Sequence, residues 1–168
     1  LNIFSFLAVS PRFLAFGFFT AFFSSFGQTF FISLSSAEIR ATFDLGHGDF
    51  GLIYAYATLS SAALLIWAGR KIDSIDLRVY TAVVCVGLAA ACFGMAGVGS
   101  AAWLVLVIFG LRFTGQGLLT HISNVSMARY FDAHRGKALS IAAMGFPMGE
   151  ALFPTLAVAL IAAVGWRP

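Results

Sequence analysis

The sequence predicts an all-α fold of the membrane type, a polytopic bundle of transmembrane helices. Three observations carry that prediction. Hydrophobic residues make up 60% of the 168 and charged residues 10%, and the mean hydropathy is +0.93. A water-soluble domain needs more charge than that to cover its surface, whereas a bilayer removes the need. The charges also stand between long apolar runs, with none in 13–37 (25 residues), 50–69 (20 residues) or 79–111 (33 residues). A spanning helix takes about 20 apolar residues.

The first run places helix 1 at about 11–34. It is dense in phenylalanine from Phe13 to Phe31, as bulk facing lipid or as rings for a solute to stack on. The second run places helix 2 at about 49–68. The third would make a single helix about 50 Å long, too long for a ~30 Å hydrocarbon core. Gly94, Gly97, Gly99 and Ser100 mark where it folds back, giving helix 3 at about 78–97 and helix 4 at about 102–128. Helix 5 follows at about 136–163, interrupted in charge by Glu150. The chain starts at Leu1 and stops after Gly165-Trp166-Arg167-Pro168, and it reads as a fragment cut before a sixth helix.

Charge then orients the bundle. With five spans, Arg12, Arg70, Lys71, Arg78, Arg129, Arg135 and Lys137 fall on one side, and Arg40 and Arg167 on the other. That asymmetry predicts a cytoplasmic amino terminus. The formal net charge of +3 and pI near 9.2 could suit nucleic acid, but the charges are scattered, and topology accounts for them without such a partner. Cys85 and Cys92 are seven residues apart, roughly 10 Å along a helix, too far for a disulfide. No cysteine or histidine spacing suggests a metal, and no glycine loop suggests a nucleotide or other cofactor. An enzyme would need paired carboxylates, a metal or a nucleophile with its base. Glu150 is the one carboxylate predicted inside the membrane, so no enzyme is expected.

Two charges are predicted within the bilayer. Arg112 lies about 15 Å down helix 4 and Glu150 about 21 Å up helix 5. In a ~30 Å core their depths differ by about 6 Å. Intramembrane charges normally face a partner or a cavity. The expectation is an Arg112–Glu150 pair or a shared polar cavity, serving as a static packing ion pair or as a substrate or proton site. Gln28, with Ser24, Ser25 and Thr29, makes a polar patch on helix 1, and Gln116 follows Arg112 by one turn. His121, near a helix end, reads as a satisfied structural residue or a proton relay.

The loop Gly69-Arg70-Lys71-Ile72-Asp73-Ser74-Ile75-Asp76-Leu77-Arg78 resembles the signature loop of the Major Facilitator Superfamily through Gly69, Asp73 and Arg78. Ser74 and Asp76 depart from its pattern. Leu111-Arg112-Phe113-Thr114-Gly115-Gln116-Gly117 resembles the superfamily's helix 4 motif, an intramembrane arginine followed by spaced glycines. Gly145-Phe146-Pro147-Met148-Gly149-Glu150 is similar to the helix 5 motif of drug/proton antiporters, with Glu150 in a glycine's place. The resemblance implies twelve helices in two halves, each built from 3+3 inverted repeats, with solute bound near the midplane and the halves rocking around it.

Arg112, Gln28, Gln116 and Glu150 would then line the substrate or proton pathway, and Asp73 and Arg78 would latch onto the other half. The implied function is secondary active transport of a small solute by alternating access, by symport or antiport. The fixed charge of Arg112 favours an anionic or carboxylate-bearing substrate, with protons as coupling ion. The partners expected are the solute, the lipid bilayer and the carboxyl-terminal half of the same chain. The implied location is a bacterial inner membrane. A non-transporting sensor or scaffold with the same fold stays open.

Overall fold

A computed structural model describes Phe6 and residues 10–165. It contains five helices long and apolar enough to cross a membrane: helix 1 (Pro11–Ser33), helix 2 (His47–Asp73), helix 3 (Leu77–Ala96), helix 4 (Ala101–Tyr130) and helix 5 (Asp132–Val164). No strand forms among the described residues. A short helix, Ser36–Phe43, joins helices 1 and 2 and ends on Asp44 in the left-handed conformation at φ 52°. Arg167 and the other residues after 165 lie outside the described part.

Local chemistry starts and stops these helices. Pro11 opens helix 1, where its missing N–H costs nothing. Asp76 caps helix 3 by accepting the Arg78 backbone N–H at 2.8 Å. Ser100 caps helix 4 by accepting the Trp103 N–H at 3.2 Å.

Two of the helices are irregular where they meet. Helix 1 runs as α-helix over Pro11–Phe23 and tightens to a 3₁₀ turn over Ser24–Gly27. It breaks at Gln28, whose φ −78° and ψ 153° are extended, and resumes over Thr29–Ser33. Helix 4 is α-helical over Ala101–Gly110, π-helical over Leu111–Leu119, and α-helical again over Thr120–Tyr130. The 3₁₀ turn and the π segment pack against each other more extensively than any other pair of elements.

Helix 4 is the axis of the bundle. Half of its most apolar window is buried, against 6% for helix 5. Leu111, Leu118, Leu119 and Ile122 pack against Tyr80, Val84 and Leu88 of helix 3. Leu104 and Ile108 meet Ala57 of helix 2 and Ile39 of the short helix. Met127 meets Leu14 of helix 1 and Ala138 and Ala142 of helix 5. The outer faces carry Val79, Val83, Val86 and Phe93 on helix 3 and Leu152, Leu156 and Leu160 on helix 5, all exposed. Water would penalise that surface, and lipid does not.

Lipid tails are as apolar as leucine, so apolar burial cannot by itself hold membrane helices together; close packing through small residues can. Glycines bring helices 4 and 5 close to helix 1 on two sides. A Cβ on Gly115 would lie 2.8 Å from the Gly27 Cα and backbone nitrogen. A Cβ on Gly145 would lie 2.7 Å from the Phe22 backbone nitrogen, and one on Gly149 would lie 3.0 Å from the Ser25 Cβ. Lower down, the Ser123 hydroxyl donates to the Gly17 carbonyl at 2.7 Å. Gly115→Ala should therefore lower the unfolding free energy of the full-length protein by about 1–3 kcal/mol. Gly99→Ala, where a Cβ meets nothing within 4 Å, should leave it unchanged. Thermal unfolding of the detergent-solubilised protein measures both.

Candidate functional site

The break at Gln28 takes the Gly27 carbonyl out of the helix 1 ladder, at the end of a helical segment where the dipole is negative. Arg112 fills that need. Its Nη1 donates to the Gly27 carbonyl and to Thr29 Oγ1, each at 3.2 Å. The guanidinium stands 5.2 Å from the Tyr54 ring centroid, within cation–π range. Tyr54 in turn donates its hydroxyl to Thr29 Oγ1 at 2.8 Å. Arg112 is 8% exposed, and its Nε has no partner among the described residues. The arginine thus ties together helices 1, 2 and 4.

Glu150 lies elsewhere. It lines a cleft of about 330 Å³ between helices 1, 4 and 5, together with Ser25, Gln28, Phe30, Gln116, Thr120 and Phe146. Gly149 positions it: the close approach of Gly149 to Ser25 brings the next residue to the edge of the helix 1 turn. Two hydroxyl oxygens of this cleft, Ser25 Oγ and Thr120 Oγ1, are buried with no hydrogen-bond partner among the described residues. A larger cavity, about 530 Å³, opens between helices 1 and 3 and is walled by Phe16, Phe19, Phe23, Phe26 and Leu88 with Cys85 and Cys92. It offers almost nothing to orient a polar solute. The smaller, polar cleft is the candidate site.

The four expected pathway residues are therefore divided. Gln28, Gln116 and Glu150 come together in one cleft, and Arg112 is outside it. The expected Arg112–Glu150 pair does not form: Arg112 is bonded to Gly27 and Thr29, and the ion pairs Arg129–Asp73 and Arg135–Asp132 involve neither residue. The physical reason is the free Gly27 carbonyl, a backbone acceptor within reach of Arg112 that the expectation of a continuous helix 1 leaves out. Ser25, Thr120, Phe30 and Phe146 complete the cleft. Ser25 had a signal in its polar patch. Phe30 stands in the phenylalanine run offered as lipid-facing bulk or as rings for a solute, and Thr120 and Phe146 had no signal, because their facing depends on how the three helices rotate.

In the loop after helix 2, the α-helix ends at Gly69 and a 3₁₀ turn covers Arg70–Asp73. Asp73 pairs with Arg129 at the end of helix 4, within this bundle. Both side chains are more than half exposed, so the pair adds little stability. Gly69 offers its carbonyl to His121 Nε2 at 3.0 Å, a contact that ties helix 4 to the end of helix 2. Arg78 is exposed and supplies its backbone N–H to the Asp76 cap.

Arg112→Met should leave the Gly27 carbonyl without its donor and lower the unfolding free energy by about 1–3 kcal/mol. Glu150→Gln removes no hydrogen bond or ion pair seen among the described residues and should change it by about 0.5 kcal/mol or less. Paired thermal unfolding curves of the two full-length variants check this. Equal losses would show that the two charges are not separated as described.

Comparison with known proteins agrees with the geometry. The sequence model of the Major Facilitator Superfamily matches residues 17–168, which takes in the helix 1 turn, the loop after helix 2, the π segment and the glycines of helix 5. No curated protein and no solved structure matches the chain. Five apolar spans in an all-α bundle, with polar side chains gathered between helices 1, 4 and 5, are consistent with that family. The chain belongs to the Major Facilitator Superfamily, a family of integral, multi-pass membrane transporters.

Proposed function

We propose that this chain is part of a secondary active carrier that moves a small polar solute by alternating access, with the cleft of Ser25, Gln28, Gln116, Thr120 and Glu150 as the solute's place in this half. The observation that carries the reading is the pair of buried, unpartnered hydroxyl oxygens on residues that line an acidic, amide-bearing cleft between helices 1, 4 and 5. Buried polar groups are nearly always paired. A cleft whose lining leaves two unpaired is suited to a solute that pairs them on arrival. Helices 1 and 4 supply most of that cleft, as expected of inverted repeats that bind at the midplane. A second set of helices would close the open side and rock against this one.

The orientation that suits the charge distribution places the amino terminus and the Asp73–Arg129 pair in the cytoplasm, at the inner membrane of a bacterium. Arg112, held on Gly27 and Thr29, acts as the strut on which the helix 1 turn is built. Glu150 is the charge that meets the solute. An ammonium or a proton there, rather than an anion drawn by Arg112, follows from that division.

The test needs no substrate. In the full-length protein with Cys85 and Cys92 replaced by alanine, Gln116→Cys should react with a membrane-impermeant thiol reagent added from either face of oriented vesicles. Reaction from one face alone would overturn alternating access and favour a sensor or scaffold.

A further inference from the structure

We infer that the solute held beside Glu150 is a small organic cation carrying N–H donors. This rests on the carrier reading above and names its substrate class. The first ground is charge. Glu150 is the one charged residue lining the cleft, and it has no ion-pair partner among the described residues. The intramembrane cation that could have neutralised it, Arg112, is committed to Gly27, Thr29 and the Tyr54 ring. Glu150 is exposed at the rim of the cleft; a closing cleft takes the carboxylate out of water, and it then needs a counter-charge, which no residue lining the cleft supplies.

The second ground is hydrogen bonding. Ser25 is 0% exposed, its Oγ has no partner among the described residues, and it lies against Gly149, next to Glu150. Thr120 Oγ1, from helix 4, is likewise a buried oxygen with no partner among the described residues, though the residue as a whole is half-buried. Once the two hydroxyls turn about their side-chain bonds towards the cleft, they and the side-chain oxygens of Gln28 and Gln116 make up to four acceptors beside one anion. An ammonium group donates in several directions at once and satisfies such a set. A carboxylate would meet Glu150 as a like charge.

The third ground is size and surface. The volume, about 330 Å³, is that of roughly ten waters at ~30 Å³ each. A bare metal ion or a lone proton would leave most of it unfilled. Phe30 and Phe146 give the cleft two aromatic walls, which suit the carbon body of an organic solute and attract a cation over their faces.

Three probes of equal length separate the classes: 4-hydroxybutylammonium, 4-hydroxybutyrate and butane-1,4-diol. Each is added at matched ionic strength to the full-length protein in nanodiscs. The ammonium should raise the thermal midpoint saturably, and the other two should not. Glu150→Gln should weaken its apparent affinity roughly tenfold or more, as expected when a charged hydrogen-bond partner is lost. Equal or greater stabilisation by the carboxylate or the diol overturns the inference, as does no stabilisation by any of the three or undiminished affinity in Glu150→Gln.

Should that variant fail to fold, the Gln116→Cys protein gives a second reading with Glu150 intact. The ammonium should slow thiol modification and the carboxylate should leave it unchanged; equal rates overturn the inference. Labelling from both faces without ammonium protection would sink the cation class and spare the carrier. Loss of two-sided labelling would bring down the carrier itself.

Discussion

The rest of the bundle depends on the contact between the Ser24–Gly27 turn of helix 1 and the π segment of helix 4. Gly27 and Gly115 meet backbone to backbone, closer than any side chain would permit. That approach sets the angle at which helix 1 crosses helix 4. It also sets the gap into which helix 5 fits its own glycines, Gly145 and Gly149, from the other side. In lipid no solvent squeezes the helices together, so the attraction must come from contact itself, and contact is densest where Cβ atoms are missing. The polar groups of the site follow from this geometry. Ser25, Gln28, Gln116 and Glu150 each sit within one residue of a glycine contact or of the turn it defines.

The same contact explains how an arginine can be kept inside a membrane helix. Placing Arg at mid-bilayer costs about 3 kcal/mol on insertion scales. An exposed backbone carbonyl in the same place is also costly, because lipid offers it no donor. The helix 1 break and the helix 4 arginine are two unfavourable features that cancel one another, through the bonds to Gly27 and Thr29. Each is intelligible only beside the other. The π segment that carries Arg112 is an irregularity of the kind that recurs at functional sites, and its residues serve both ends: Arg112 towards the strut and Gln116 towards the cleft.

The fold was legible in the sequence because lipid imposes a simple rule. A span needs about twenty apolar residues, so runs such as 50–69 announce a helix, and the 33-residue run announces two. The site was legible only in part. Gln28, Gln116 and Glu150 stand out because amides and acids are rare in such helices. The break at Gln28 does not stand out, since no proline marks it and Gly27 alone is a weak signal. Without the break, Arg112 has no visible partner but Glu150. Pairing the two was the natural expectation, and the missing fact was a backbone carbonyl, which no side-chain pattern records.

That separation changes what the two charges can do. Had Arg112 and Glu150 neutralised each other, a solute would have had to break the pair to bind. With Arg112 spent on the backbone, its positive charge is fixed in place and is offset locally by the Gly27 carbonyl and the Tyr54 ring. Glu150 remains the charge that can change its partner. A carrier must hold its solute firmly enough to capture it and loosely enough to release it on the far side. A carboxylate at the rim of a cleft, exposed in this half alone, can be neutralised by whichever cation arrives as the cleft closes. An arginine buried under three helices cannot play that part, because moving it would dismantle the turn on which the cleft itself is built.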